Sequence, residues 1–327
     1  MFKALLVSEN PDKTFARAIV ERDLASLPDN DVLVRVAYSS LNYKDALSAS
    51  GNTGVTKTYP HTPGIDAAGV VEADRTGAFR AGEQVIVTSY DLGMNTSGGF
   101  GEYICVPAGW VVRLPEGLTL REAMQFGTAG LTAAIAVDQL QRNDVLPQNG
   151  DVLVTGASGG VGSYAVAILA KAGYRVIAAT GKLEQATYLH ALGAAEVMDR
   201  ASALNPSSRP LLSAKYAGAV DAVGGATLAS ILKMMKIGGA VAALGNVGGA
   251  ELNTTVFPFI LRGVSLLGVD SGNLPMPRRA ALWQKLADDW KPAMLERINQ
   301  EVTLDGLNEQ IDRILRGQIA GHVLVKI

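Results

Sequence analysis

Residues 151–180, DVLVTGASGGVGSYAVAILAKAGYRVIAAT, constrain this chain more than any other stretch. A short apolar run at 152–155 meets a glycine cluster, Gly156, Gly159, Gly160 and Gly162. A segment of helical period follows at 164–171 and a second apolar run at 175–179. The pattern reads strand, turn, helix, strand. In such a unit glycines permit a sharp turn, a close approach of backbone to a diphosphate, and tight packing of helix on strand. The helix N-terminus adds open N–H groups and a partial positive charge. The ligand this predicts is a dinucleotide, held by Ser158, Gly159, Gly160, Val161 and Gly162. The spacing is G-x-x-G-x-x-G and not the commoner G-x-G-x-x-G, but its place between a β-type run and a helix is the context that gives it meaning. No Gly-Lys-Ser/Thr follows, so it is not a P-loop.

The end of the second run decides which dinucleotide. An NAD site places Asp or Glu there to accept from the ribose hydroxyls. This chain has Thr180, Gly181 and Lys182. A carboxylate would repel a 2′-phosphate, whereas a hydroxyl and an ammonium attract it. Residues 196–200, EVMDR, read as a third strand ending in a cation. NADPH is therefore expected over NADH, with Lys182 and Arg200 as phosphate clamps.

Further strand-like runs at 219–223, 239–244 and 264–269 are separated by helical segments. Together with the first three they predict a doubly wound α/β parallel sheet, the Rossmann arrangement, in the order 3-2-1-4-5-6 with the cofactor at its switch point. Asn246 and Ser271 follow the fifth and sixth strands and are expected at the nicotinamide half. The sixth run, VSLLGV, would be an apolar edge, which proteins rarely leave open. A homodimer paired through that strand is expected.

The first 120 residues differ in kind. Short β-like runs at 4–7, 31–37, 67–72, 84–89 and 101–106 alternate with turn residues, and helical periodicity is confined to 43–48. Residues 120–139 form a helix, with Thr119 and Glu122 placed as a capping box. Residues 277–290 read as a helix, and 311–327 as a helix and strand that return to the β-rich part. The expected domains are 1–121, 122–271 and a returning segment, 272–327.

With a formal net charge of −2, the chain offers no basic field for nucleic acid or an anionic membrane surface. The N-terminal apolar run is too short for a signal peptide, and no segment approaches a spanning helix, so a cytoplasmic location is expected. One cysteine, Cys105, precludes an internal disulfide and a multi-cysteine zinc site.

Several ordered motifs carry a family resemblance: Asn42-Tyr43-Lys44-Asp45, then residues 63–69 (PGIDAAG), 98–103 (GGFGEY), 127–133 (GTAGLTA) and the glycine turn. Over essentially its whole length the chain resembles the medium-chain dehydrogenase/reductase superfamily, in its zinc-independent quinone oxidoreductase branch. Residues 40–45 (SLNYKD), 258–262 (PFILR) and 268–271 (GVDS) are most similar to the acryloyl-CoA reductases. The resemblance implies a GroES-like β-rich domain beside the Rossmann domain. It also implies a nicotinamide contact from Ile260. Zinc members carry Gly-His-Glu where this chain has Gly64, Ile65 and Asp66. With His61, His190 and His322 scattered, no metal is expected.

A metal-free NADPH enzyme can deliver hydride to the β-carbon of an enoyl thioester, given donors for the enolate oxygen and then a proton at the α-carbon. The expected catalytic group is Asn42, Tyr43 and Asp45, with Tyr43 also against the nicotinamide and Asp45 alternatively holding the loop. The plain alternative has Asn42 as a helix cap and Tyr43 as a packing residue. Thr128 and Thr132 are further cofactor contacts, or simple helix hydroxyls. Lys44, Lys57 and Arg262 are candidate partners for coenzyme A phosphates. The leading expectation is reduction of acryloyl-CoA to propanoyl-CoA. A quinone or enone reductase, and a non-catalytic NADPH-binding sensor, are the alternatives.

Overall fold

The apolar runs of the second half of the chain stand side by side in one parallel sheet. Its strands, in chain order, are Val152–Thr155, Val176–Thr180, Glu196–Asp199, Tyr216–Asp221, Met235–Ala243 and Ser265–Gly268. Across the sheet they run third, second, first, fourth, fifth, sixth, every neighbouring pair parallel. This is the expected doubly wound order. Every residue of Val152–Thr155, Val176–Thr180 and Tyr216–Asp221 is buried. Continuous apolar strands of this kind are what a sheet covered on both faces demands. The outer strands Glu196–Asp199 and Ser265–Gly268 are only partly covered. On one face Leu153, Ile177 and Val241 pack with Ile231 and Leu232 of the helix Gly225–Lys233.

The computed structural model describes all residues from Met1 to Ile327 and divides them into two compact units. The parallel sheet belongs to the unit formed by Gly130–Asp270 and Asp289–Met294. The other unit comprises Met1–Ala129, Ser271–Asp288 and Leu295–Ile327. It holds a hairpin of Phe2–Glu9 with Phe15–Arg22 and a seven-stranded sheet. In that sheet Val32–Leu41 is central. It pairs antiparallel with Asp66–Asp74, with Tyr103–Val106 and with the last strand, His322–Lys326. The C-terminal strand thus returns to the β-rich unit. Two clusters of buried side chains hold this unit together, one around Val34, Val85 and Ile104, the other around Leu5, Phe100 and Val325.

The division falls at Ala129 and Gly130, eight residues beyond the sequence-based boundary at 121/122. The helix Leu120–Arg142 is broken at Gly127, where φ is 50° and ψ is −155°. Helix-forming residues run on both sides of the break, so composition hides it. Only a residue without a side chain adopts this backbone readily. A β-carbon there would also clash with Ser40 Oγ and stand 2.7 Å from Asp66 Oδ2. Gly127→Ala is expected to lower the unfolding free energy by about 2–5 kcal/mol through backbone strain and overpacking. Urea unfolding of the two proteins measures it, and a difference under about 1 kcal/mol would contradict this account.

Candidate active site

In the unit of the parallel sheet, the glycine turn closes the first strand and opens the helix Gly160–Lys171. Gly156 has φ 60°. A β-carbon at Gly162 would stand 2.7 Å from Ala157 Cα, so the helix packs against the turn only because that side chain is missing. Gly159 is the N-cap and contributes no side-chain bond. The first-turn N–H groups therefore remain available to an anion.

The second strand ends beside this turn. Ser158 Oγ and Thr180 Oγ1 lie 2.7 Å apart, both buried. The backbone N–H of Lys182 donates to Thr180 Oγ1 at 3.0 Å. Partial burial lowers the pKa of the Lys182 ammonium, with nearby Glu184 opposing the shift. Parallel register sets Asp199 beside Thr180, which brings the exposed Arg200 against Gly181. The sequence-predicted residues Ser158, Gly159, Gly160, Val161, Gly162, Thr180, Gly181, Lys182 and Arg200 are thus one neighbourhood. Asn246 is exposed in the loop after the fifth strand, packed over Gly224. Ile260 stands apart, 68% exposed on the short helix Phe257–Arg262. Arg262, a candidate for coenzyme A phosphates, instead donates to the carbonyls of Leu212, Lys233 and Met235. Three backbone acceptors hold its guanidinium inside the fold.

In the β-rich unit the ends of three segments converge on Asp66. Its Oδ2 accepts from Ser40 Oγ at 2.6 Å, from Asn42 Nδ2 at 2.7 Å and from the Thr128 N–H at 2.8 Å. Its Oδ1 accepts from Thr128 Oγ1 at 2.6 Å. Ser89 Oγ lies 2.9 Å from Thr128 Oγ1, whose own hydrogen is directed at Asp66, so Ser89 donates. His322 is buried beside this cluster, and its Nδ1 donates to the Gln125 carbonyl at 3.0 Å. Burial lowers the His322 pKa, against the opposing influence of Asp66.

Asp45, expected among the catalytic groups, is fully buried. Its oxygens accept from the N–H of Ile65 and of Asn42, each at 2.7 Å. It is the loop-holding residue of the two readings, because no face of it is left for a substrate. Burial, and then the neighbouring Asp66 charge, push its pKa up to about 7, although the two N–H donors act the other way. Asn42 precedes the helix Tyr43–Ser48, and its amide is held by Asp66. Tyr43 is 48% exposed, and Lys44 and Lys57 are exposed. Thr128, expected at the cofactor, has its hydroxyl committed to Asp66. Ser271 lies in the β-rich unit, and its carbonyl accepts from Arg279 at 2.8 Å. Sequence reasoning missed Ser40, Asp66 and His322 as members of the site. The available signal was Asp66 within PGIDAAG, noted only as a departure from Gly-His-Glu.

A GroES-like β-rich unit joined to a six-stranded Rossmann sheet, with a glycine turn on the first strand, defines a nicotinamide-dependent oxidoreductase of the medium-chain class. Residues 28–116 match the alcohol dehydrogenase GroES-like domain and 160–288 the zinc-binding dehydrogenase family. Acrylyl-CoA reductase AcuI of Ruegeria pomeroyi is 45% identical over 328 residues, covering 100% of this chain and 99% of that protein. The crystal structure of Escherichia coli K-12 YhdH with bound NADPH is 44% identical, covers 99% of both chains and superposes with a TM-score of 0.95. That of Bacillus subtilis YhfP with NAD bound is 45% identical, covers 100% of this chain and 99% of that one, and has a TM-score of 0.97. The chain belongs to the medium-chain dehydrogenase/reductase superfamily.

One of those families is named for zinc, and the residues present do not fit that ion. No three His, Cys, Asp or Glu side chains are grouped to hold a metal. Asp66 meets N–H and O–H hydrogens on both oxygens, and the thiol of Cys105 donates to the Asn30 carbonyl at 3.4 Å. No helix is long and apolar enough to cross a membrane.

The Asp45 shift has a definite sign. Because folding raises this pKa, the folded protein holds the proton more tightly than the unfolded chain. Stability from this group is greatest below the ordinary value of 3.8 and falls as pH rises towards about 7. Asp45→Asn removes the titration. The stability of the natural protein relative to this variant should fall by up to about 1.4 kcal/mol per pH unit across that window, then level off. Denaturant unfolding of both proteins at a series of pH values tests this, and a pH-independent difference would refute it.

Proposed function

We propose that this protein reduces an activated C=C bond with NADPH, and that its substrate is a short enoyl thioester, acryloyl-CoA giving propanoyl-CoA. The observation that carries the reading is an Asn42 amide locked by Asp66 next to a half-exposed Tyr43, in a loop with no metal-holding donor set. The similarity to a protein named acrylyl-CoA reductase supports the substrate class.

The residues of the glycine turn fit the cofactor. The N-terminus of Gly160–Lys171 would take the diphosphate and Lys182 with Arg200 the 2′-phosphate. Asn246 reaches the nicotinamide half. When bound, NADPH supplies the hydride. The chain's own part is to fix the acyl group and to stabilise the negative charge that develops on its carbonyl oxygen. Asp66 sets the amide plane of Asn42, so this group is presented in one orientation. The Tyr43 phenol is a second donor for the same oxygen. Asp45 holds both through the Asn42 and Ile65 backbone.

Nicotinamide absorbance, followed with acryloyl-CoA, crotonoyl-CoA, an enone and a benzoquinone against NADPH and NADH, distinguishes the alternatives. The expected result is highest kcat/KM for acryloyl-CoA with NADPH. Turnover only with the quinone or enone would favour a general reductase, and tight NADPH binding without any turnover a sensor. Asn42→Ala and Tyr43→Phe should each lower kcat by about tenfold or more. Full turnover in both would remove these residues from the mechanism.

The same protein is proposed to be a homodimer. The strand Ser265–Gly268 pairs on one side only, with Met235–Ala243. Val256, Phe257, Ile260, Leu261 and Leu266 around it are exposed. A second copy related by a two-fold axis would satisfy the edge and cover these side chains. Light scattering over a range of concentrations should give twice the chain mass, and Leu266→Lys should lower it. A monomer throughout would end the proposal.

A further inference from the structure

Four residues other than glycine have a left-handed backbone in this chain: Lys13, Ser89, Tyr90 and Asp144. Lys13 and Asp144 are exposed turn residues. Ser89 and Tyr90 are consecutive, with φ 63° and 51°, and Ser89 is buried. A side chain disfavours this conformation, whereas glycine adopts it freely. Strain of this kind persists only where the surroundings over-determine it. Here they do, all within the β-rich unit. The Ser89 N–H donates to the Ile65 carbonyl at 2.7 Å. The Tyr90 ring stacks on Trp110, with centroids 5.4 Å apart and planes 6° from parallel. The Arg279 guanidinium lies 4.2 Å from the Tyr90 centroid and donates to the Thr88 carbonyl at 2.9 Å and hydroxyl at 3.0 Å. The corner is thus locked on both sides of Ser89.

What the lock delivers is a hydroxyl. Ser89 Oγ donates to Thr128 Oγ1 at 2.9 Å, and the Thr128 hydrogen is directed at Asp66 Oδ1 at 2.6 Å. The two oxygens of Asp66 are unequally held. Oδ2 accepts from Ser40, Asn42 and the Thr128 N–H, whereas Oδ1 accepts from Thr128 Oγ1 alone. The direction of one hydroxyl therefore decides whether Oδ1 is satisfied. A buried carboxylate that loses its partner on one oxygen turns towards the donors that remain. The Asn42 amide is among those donors.

We propose that Ser89 is a positioning residue for the reduction. By committing the Thr128 hydroxyl to Asp66 it holds the carboxylate, and through it the Asn42 amide, in one orientation. This rests on the reductase reading above, in which Asn42 donates to the acyl oxygen. Glycine would suit the backbone at 89 better than serine does. The serine is accounted for by its oxygen, which Thr128 requires, and the strained backbone by the place where that oxygen must stand.

Ser89→Gly and Ser89→Ala both remove the hydroxyl but differ in backbone, since glycine relaxes the left-handed turn and alanine keeps it strained. Turnover of the best activated alkene with NADPH, and urea unfolding, would be measured for both, alone and in a Thr128→Val background. The kcat should be about fivefold lower in both variants, the loss of one hydrogen-bonding partner. The KM for NADPH should stay within about twofold, because its proposed residues lie in the other unit. The urea midpoint should be higher for Ser89→Gly than for Ser89→Ala. In Thr128→Val neither change should lower kcat further, because the hydroxyl that Ser89 directs is gone. A purely structural role would instead make kcat follow the midpoint. Full turnover in Ser89→Gly, a loss confined to Ser89→Ala, or additive losses with Thr128→Val would each overturn the proposal. So would a Ser89→Gly protein that does not fold, because glycine is the residue this backbone accepts best. A natural protein that turns over no activated alkene would refute the reductase reading, and the role of Ser89 with it.

Discussion

The β-rich unit depends on the hydrogen bonds that converge on Asp66. A carboxylate buried without partners would be prohibitive, and one satisfied by several donors is tolerated. Here the donors come from residues far apart in the chain: Ser40 near the end of the central strand, Asn42 just after it, and Thr128 after the helix break. One buried charge therefore ties together the segments that shape the proposed acyl side of the site. Gly127 is part of the same arrangement, since any side chain there would occupy the space of Ser40 Oγ and Asp66 Oδ2.

Asp45 and Asp66 are neighbours, yet they are satisfied differently. Asp66 meets three side-chain donors and one N–H, whereas Asp45 meets two backbone N–H groups. Burial and the Asp66 charge raise the Asp45 pKa in spite of those bonds. The helix Tyr43–Ser48 is thus anchored at its first turn by one acid and at its preceding residue by the other. This explains how an exposed tyrosine can keep a fixed origin: Asn42 just before it and Asp45 two residues after it are both held.

Much of the parallel sheet was legible because its rules are local. Buried parallel strands need continuous apolar runs, the glycine turn needs close backbone approach, and both are written in adjacent residues. The strand order followed from the handedness and neighbour rules of doubly wound sheets. What was not legible depended on residues distant in sequence. Nothing near Asn42 shows that its amide will be taken by Asp66, or that the Thr128 hydroxyl will point at the same carboxylate. Arg262 looked like a surface cation because its three carbonyl partners lie 27 to 50 residues away. The break at Gly127 was hidden for a related reason: a glycine inside a helical pattern is ordinarily tolerated, and only the side chains it faces reveal that it is required.

The same division separates the two groups of candidate residues, one in each unit. The residues proposed for the cofactor lie on a turn and two strand ends whose register is fixed by one sheet, so a motif and a strand count were enough to bring Ser158, Thr180, Lys182 and Arg200 into one neighbourhood. The residues around Asp66 are assembled by a buried polar network. Such networks leave no periodic trace, because each member is a single polar residue in an otherwise ordinary segment. The placing of Asn42 and Tyr43 is therefore controlled by two buried carboxylates. Asp66 fixes the amide and Asp45 fixes the turn, and a change at either would alter the site without removing any contacting group.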